Sequence, residues 1–296
     1  MSSSKKRLET EADVATIITF SGEMGEVRES LVDEIMVPVA ERFPDRPLCQ
    51  APPRAADLDL LRQHRPWGYA LELFPGVSGA HLDREAPVVD FSLESAEALS
   101  IRMSLLDKAL AEFAPVGSLL DLETDCGLIP MKLAERIGGR IVGIDRREEA
   151  IRRARVLHTL SGQANRRFQV ADPYAYLVGL KPDAFDCVSA LGLVHRLTDP
   201  IRLLRLMHEK TARLVLIDTV IHNVPAPGWI RRGPPGAPGA GALQPTYRGM
   251  IDSLYQVGFE SVTEVAPAPS LLAAIAQQTP YHSHRRALFV AQKWAV

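Results

Sequence analysis

From residue 118 to the C-terminus the chain alternates between two periods, and that alternation restricts it to one class of fold. The runs "SLLDL" (118–122), "RIVGID" (140–145), "RFQVAD" (167–172), "FDCVSAL" (185–191) and "RLVLIDTVI" (213–221) are short and rich in Val, Ile and Leu, and read as strands. Between them lie "PMKLAERI" (130–137), "REEAIRRARVLHTL" (147–160) and "DPIRLLRLMHEK" (199–210), which read as helices. Pro130 near the start of the first helix and Gly138-Gly139 beyond its end fit its expected limits. A helix "YRGMIDSLYQVG" (247–258) and two strands, "FESVTEV" (259–265) and "RALFVAQK" (286–293), close the chain. This order predicts an α/β fold, a mostly parallel sheet with helices on both faces.

Ahead of this region the pattern is mixed. "EADVATIITFSGEMGEVRESLVDEIMVPVAERF" (11–43), with Leu31, Ile35, Val37 and Val39, suggests one or two helices. "PDRPLCQAPPRAAD" (44–57) reads as a proline-rich connector, and "WGYALELFPGVSGA" (67–80) as a small β-hairpin turning at Pro75-Gly76. "SAEALSIRMSLLDKALAEFA" (95–114) reads as an amphipathic helix capped by Ser95 and ended before Pro115. The expected division is therefore an accessory region of helices and a hairpin at 1–92 and an α/β domain at 93–296. One segment breaks the rhythm inside that domain. Residues 223–245, "NVPAPGWIRRGPPGAPGAGALQP", form a Pro/Gly-rich loop of a length that compact domains keep for function or leave disordered.

Composition narrows the partners. Lys and Arg number 34 against 36 Asp and Glu, a formal net charge of −2, so the basic surplus of a dedicated nucleic-acid binder is missing. The balance favours a small-molecule acceptor without forbidding an RNA substrate. Cys49, Cys126 and Cys187 form no CxxC pair and suggest neither a disulfide framework nor a metal site, which points to a reducing, cytoplasmic setting. No apolar run approaches a membrane span. A protein partner or homo-oligomer stays open.

The chemistry is expected at the strand ends, because open α/β sheets bind ligands beyond the carboxyl ends of their strands. Asp121 ends the first strand of the domain and Asp145 the second, where an acid can accept both hydroxyls of a ribose. Asp172 ends the third, His195 follows the fourth, and Asp218 to His222 close the fifth. Single acids at strand ends commonly serve as caps and turns, but acids at successive strand ends are harder to dismiss. The stretch "LLDLETDCGLIPMKLAERIGGRIVGID" (119–145) has the layout of a nucleotide-binding strand–turn–helix–strand unit. It carries Glu123 and Asp125 where such units usually place glycines, and keeps only Gly127. An Asp tolerates the left-handed backbone such a turn requires. A Glu is the harder residue there, since its side chain must point away or fill ligand space.

These residues carry a family resemblance. "SLLDLETDCGLIPMKLAE", "IVGIDRREEAIRRAR", "VADP", "FDCVSALGLVHRLTDPIRLLRLM", "RLVLIDTVI" and "PTYRGMIDSLYQVGFESV" resemble, in order and spacing, the motifs of class I S-adenosylmethionine-dependent methyltransferases. The first of these motifs is degenerate in its glycines. The resemblance implies a Rossmann-like, seven-stranded, mostly parallel sheet whose last strand runs antiparallel, with S-adenosylmethionine as cofactor. It implies that Asp121 helps place the amino acid end of that cofactor, Asp145 holds the ribose and Asp172 reads the adenine amine, with Glu123, Asp125 and Gly127 in the cofactor turn. "PWGYALELFPGVSG" and the ending "LVHRLTDP" resemble enzymes that modify the wobble uridine of tRNA, and natural-product methyltransferases share that ending. His195 is then the candidate general base, with capping against Asp199 as its plain alternative. His222, Trp229 and Arg231 are candidate acceptor-side residues, the loop at 229–232 acting as a lid or as a solvated loop with one packed Trp. The altered turn keeps a third expectation alive, a catalytically inactive relative serving as scaffold or partner subunit. An RNA-modifying enzyme would instead show a basic patch on the N-terminal region.

Overall fold

The computed structural model describes residues 33–38, 43–84, 96–232, 241–268 and 285–294. Its centre is an eight-stranded sheet. In spatial order it runs β1 (Asp33–Val37), β11 (Ser261–Pro267), β12 (Arg286–Gln292), β8 (Thr211–Val220), β7 (Phe185–Leu191), β4 (Val116–Leu122), β5 (Ile137–Asp145) and β6 (Arg166–Val170). Only β12 runs against the others, antiparallel to both β8 and β11. The strand order reverses at β4, which pairs with β5 on one side and β7 on the other, so the crevice of the fold lies above the end of β4.

The strands read as continuous apolar runs because both faces are covered. Leu119, Ile141, Phe168 and Leu214 enter one core layer, while their neighbours Leu120, Val142 and Val215 enter the other. Helices α3 (Ala96–Glu112), α4 (Leu128–Lys132) and α5 (Glu148–Ser161) lie with the first layer; α6 (Pro173–Val178), α7 (Pro200–Lys210) and α8 (Tyr247–Val257) lie with the second. Local chemistry sets their limits. Asp199 accepts from the Arg202 N–H at the start of α7, Thr246 accepts from Gly249 at the start of α8, and Gly258 in the left-handed region ends α8.

Three sequence expectations change. Residues Asp33–Val37 form the edge strand β1, parallel to β11, and not part of a helix; Val37 is fully buried and Met36 half exposed. The sheet therefore has eight strands where seven were expected. Leu31, Val39 and Ser95 lie outside the described residues. Second, α4 ends at Lys132 and a 3-10 turn (Ala134–Arg136) leads into β5, so Gly138 and Gly139 sit in the strand and do not follow a helix. A Cβ on Gly139 would stand 2.2 Å from the Gly117 carbonyl oxygen, which explains the glycine there. Third, a short helix α6 that periodicity did not separate from β6 begins at Pro173.

The expected hairpin is present as β2 (Glu72–Phe74) and β3 (Val77–Ser78), followed by α2 (Gly79–Arg84) and preceded by α1 (Ala55–Gln63). Leu48, Leu61, Trp67 and Leu73 join Leu99, Leu105 and Leu119 in one core cluster, so the accessory segment is packed onto the sheet. No helix among the described residues is long and apolar enough to cross a membrane.

Candidate functional site

The turn after β4 keeps the backbone shape of a glycine-rich turn with hardly any glycine. Glu123, Asp125 and Gly127 have φ of 54°, 51° and 69°. For residues other than glycine such a conformation costs of order 1–3 kcal/mol each unless the surroundings hold it. The surroundings do hold it. Thr124 N–H donates to the Ile144 carbonyl at 2.8 Å and Gly127 N–H to the Thr124 carbonyl at 3.0 Å. Asp125 N–H donates to Asp145 Oδ2 at 3.1 Å.

Each unusual acid is matched by arginine. The Glu123 side chain is 8% exposed; it meets Arg146, just past β5, and Arg196, just past β7, the latter at 3.0 Å. Glu123 thus ties the turn to the strand ends on both sides of β4. Asp125 meets Arg147 at 3.3 Å and Arg153 of α5 at 3.2 Å. Arg153 also donates to the Pro66 carbonyl, and Cys126 lies buried against the Trp67 carbonyl, so the accessory segment buttresses this turn.

Close packing fixes the turn from beneath. A Cβ on Gly127 would lie 2.5 Å from the Phe168 ring, and one on Gly143 would lie 2.6 Å from the same ring and 2.8 Å from Thr124 Cγ2. Gly143 was not singled out in the sequence; its requirement comes from a ring supplied by β6.

The acids at the strand ends differ in state. Asp121 is buried, and burial pushes its carboxyl up to about 6 against the hydrogen bond from Ser189, the nearby Thr124 hydroxyl and the charge of Arg102. Ser189 Oγ donates to Asp121 Oδ1 at 2.5 Å. Asp145 is also buried, but its carboxyl lies below the ordinary value. Burial pushes upward there, and the hydrogen bonds and charge of Arg147, with the Asp125 N–H, outweigh it. Asp145 Oδ1 accepts from Arg147 N–H (2.8 Å) and Arg147 Nε (3.0 Å); Oδ2 accepts from Asp125 N–H and from Arg147 Nη2 (2.9 Å). All four lone-pair sites of the carboxylate are occupied. Asp172 is exposed at the rim, where it caps α6 by accepting from the Ala175 N–H at 3.0 Å.

On the far side of β4, His195 sits in a 3-10 turn (Val194–Arg196) and is buried. Its Nδ1 accepts from the Val220 N–H at 3.3 Å and lies 3.2 Å from Thr219 Oγ1, and Asp199 caps α7 instead. Acceptance at Nδ1 assigns the ring proton to Nε2. Burial, with the charges of Arg286 and Arg196, pulls the imidazole down to about 4, so it is neutral at pH 7. Beneath it Asp218, fully buried, binds Arg286 through both oxygens (2.8 and 2.7 Å) and Arg102 at 2.6 Å. Sequence reasoning missed both arginines, which come from β12 and α3.

The segment 223–245 contains a two-stranded hairpin, β9 (Trp229–Arg231) and β10 (Leu243–Pro245). Leu243 N–H donates to the Leu197 carbonyl at 2.7 Å, which seats the hairpin beside the His195 turn. Trp229 turns inward, donating from Nε1 to Ser253 Oγ of α8 at 2.9 Å, while Arg231 stays exposed. His222 is half-buried, its N–H donates to the Pro245 carbonyl at 2.7 Å, and burial lowers its pKa.

Comparison with known proteins gives one family and one fold. A family profile described as a methyltransferase domain matches residues 96–261, more than half of the chain. No curated protein matches the sequence. Among solved structures, the N-terminal domain of EvdMO1 with SAH bound is 19% identical at a TM-score of 0.56, covering 82% of this chain and 98% of that one. The same domain in the presence of SAH and D-fucose is 19% identical at 0.54, covering 80% and 95%. At these identities the likeness is one of fold.

Proposed function

This chain belongs to the methyltransferase-domain family, and from that premise we propose that it transfers a methyl group from S-adenosylmethionine to a small-molecule acceptor. The observation that carries the reading is the pairing of the turn at 123–127 with Asp145: backbone in the shape a cofactor turn needs, placed by Asp125 N–H against a buried carboxylate at the next strand end.

The residues present fit that cofactor once one side chain moves. Arg147 places one nitrogen on each oxygen of Asp145, and a ribose diol would place one hydroxyl on each. The two backbone donors, Asp125 N–H and Arg147 N–H, use the other site on each oxygen and can stay. The Arg147 side chain is 59% exposed and free to swing to solvent, and the ribose hydroxyls would take over its two hydrogen bonds to the buried carboxylate. Asp145 would hold the ribose, with Asp121 and the turn near the amino acid end and Asp172 at the rim toward the base. Bound there, the cofactor supplies an already activated methyl group.

The protein's own part is to hold the acceptor in line. With Nδ1 accepting from the Val220 N–H, Nε2 carries the ring proton, so His195 offers the acceptor a hydrogen-bond donor, and at about 4 its imidazole is a weak base. The β9–β10 hairpin walls the acceptor side. Arg54 and Arg62 of the accessory segment pair with Asp57 and Asp59, which favours a small acceptor over a phosphate backbone. A second reading, a fold kept without the reaction, is favoured by the saturation of Asp145.

Calorimetric titration with S-adenosylhomocysteine separates the two. Saturable binding that Asp145→Ala abolishes is the expected result. No binding of either S-adenosylmethionine or its product, even at millimolar concentration, would sink the enzyme reading and leave the scaffold.

A further inference from the structure

At the opposite, N-terminal ends of the strands, a cavity of about 370 Å³ opens between β5, β6 and α6. Its rim carries Arg140, Arg166 and Arg167; Val142, Tyr176 and Leu180 line its interior. In register Val142 pairs with Arg167, so these two share the face that α6 covers.

The charges of this rim are uncompensated among the described residues. Arg140 donates to the Ala184 carbonyl at 2.6 Å and lies 4.2 Å from the centre of the Phe185 ring. Arg166 donates to the Gly139 carbonyl at 2.7 Å. Carbonyls and a ring face satisfy donors without cancelling charge. The Arg167 side chain is exposed and makes no hydrogen bond or ion pair among the described residues. No Asp or Glu among the described residues lines the cavity. A second cavity, between residues 43–50 and α3 and α4, shows the contrast: there Lys132 faces Asp45 and Arg136 faces Asp107.

A concave site of one sign concentrates the field and attracts ions of the other. Guanidinium forks match tetrahedral oxyanions through paired N–H···O bonds, and they bind phosphate more tightly than a neutral donor set does. The apolar wall and the volume suit one small body attached to the anion.

We propose that this cavity is a second ligand site, separate from the cofactor crevice, that binds a phosphate monoester carried on a small ring-bearing molecule. Arg140 and Arg167 grip the phosphate while the ring lies against Val142, Leu180 and Tyr176. The site stands whether or not the crevice binds its cofactor.

The test titrates the intact protein with phenyl phosphate, with phenol and with inorganic phosphate, following amide shifts by NMR. Phenyl phosphate is expected to bind saturably, phenol not at all, and inorganic phosphate more weakly than the ester. Arg167→Ala is expected to weaken phenyl phosphate binding by about tenfold, the loss of a charge-assisted contact, and Arg167→Glu to abolish it. The affinity for S-adenosylhomocysteine should not change in either variant. Absence of saturable phenyl phosphate binding at millimolar concentration would overturn the proposal, as would equal binding by Arg167→Glu. Preference for a single-stranded oligoribonucleotide over the ester would also overturn it, by assigning the groove to nucleic acid.

Discussion

At the scale of single residues, the turn after β4 depends on what arginine does for carboxylate. Glu123 is a poor choice for a left-handed backbone and Asp125 a tolerated one, and both are held there by ion pairs that reach across strand ends. Arg147 goes further and occupies the sites on Asp145 that a ribose would use. The expected consequence is competition. Arg147→Met leaves the backbone donors in place and frees one lone-pair site on each oxygen. Affinity for S-adenosylhomocysteine should then rise severalfold, because the ribose no longer has to displace the two charge-assisted hydrogen bonds of Arg147. Calorimetry on the two proteins reads this directly, and a fall in affinity would show that Arg147 helps to hold the ligand instead.

At the scale of elements, the turn is a packed object and not a free loop. Gly143 on β5, Phe168 on β6 and Thr124 in the turn meet so closely that an added methyl has no room. Gly143→Ala must therefore displace the Phe168 ring or lift the turn, at a cost of about 1–3 kcal/mol. Urea unfolding is expected to show that loss, with S-adenosylhomocysteine binding weakened beyond it because Asp125 N–H moves off Asp145. Unchanged stability would mean that β6 gives way easily. The hairpin β9–β10 follows the same logic: Trp229, expected as a lid residue or a packed one, is anchored to Ser253 on α8.

At the scale of the whole molecule, Asp218 links three parts of the chain. Its carboxylate on β8 holds Arg102 of α3 and Arg286 of β12 in a group with little access to water. Removing one partner of such a group leaves buried charge without its counter-ion. Asp218→Asn is expected to cost about 3–5 kcal/mol of unfolding free energy in urea, with the m-value unchanged if the transition stays two-state. The accessory segment is likewise bound into the whole. Its strand β1 completes the sheet edge beside β11, and its Trp67 and Pro66 carbonyls touch the turn and α5.

Much of this was legible along the chain, for a reason. The period of a strand and the period of a helix are local properties, so "FDCVSAL" and "DPIRLLRLM" declare themselves, and Asp121, Asp145 and Asp172 fall at strand ends by position alone. Two periods blur where a run is short. Ile35 and Val37 fit either, and only pairing with β11 made them a strand. The state of the site was not legible at all. Whether Glu123 fills the crevice or bridges it, whether Asp145 is free, and which nitrogen of His195 carries the proton all depend on partners from other elements: Arg196, Arg147 and the Val220 N–H. The sequence by itself determined the class of fold and the places where chemistry can occur, because those follow from neighbours along the chain. Only the tertiary structure decided what each acid and imidazole can do, because charge, burial and hydrogen bonding act through space.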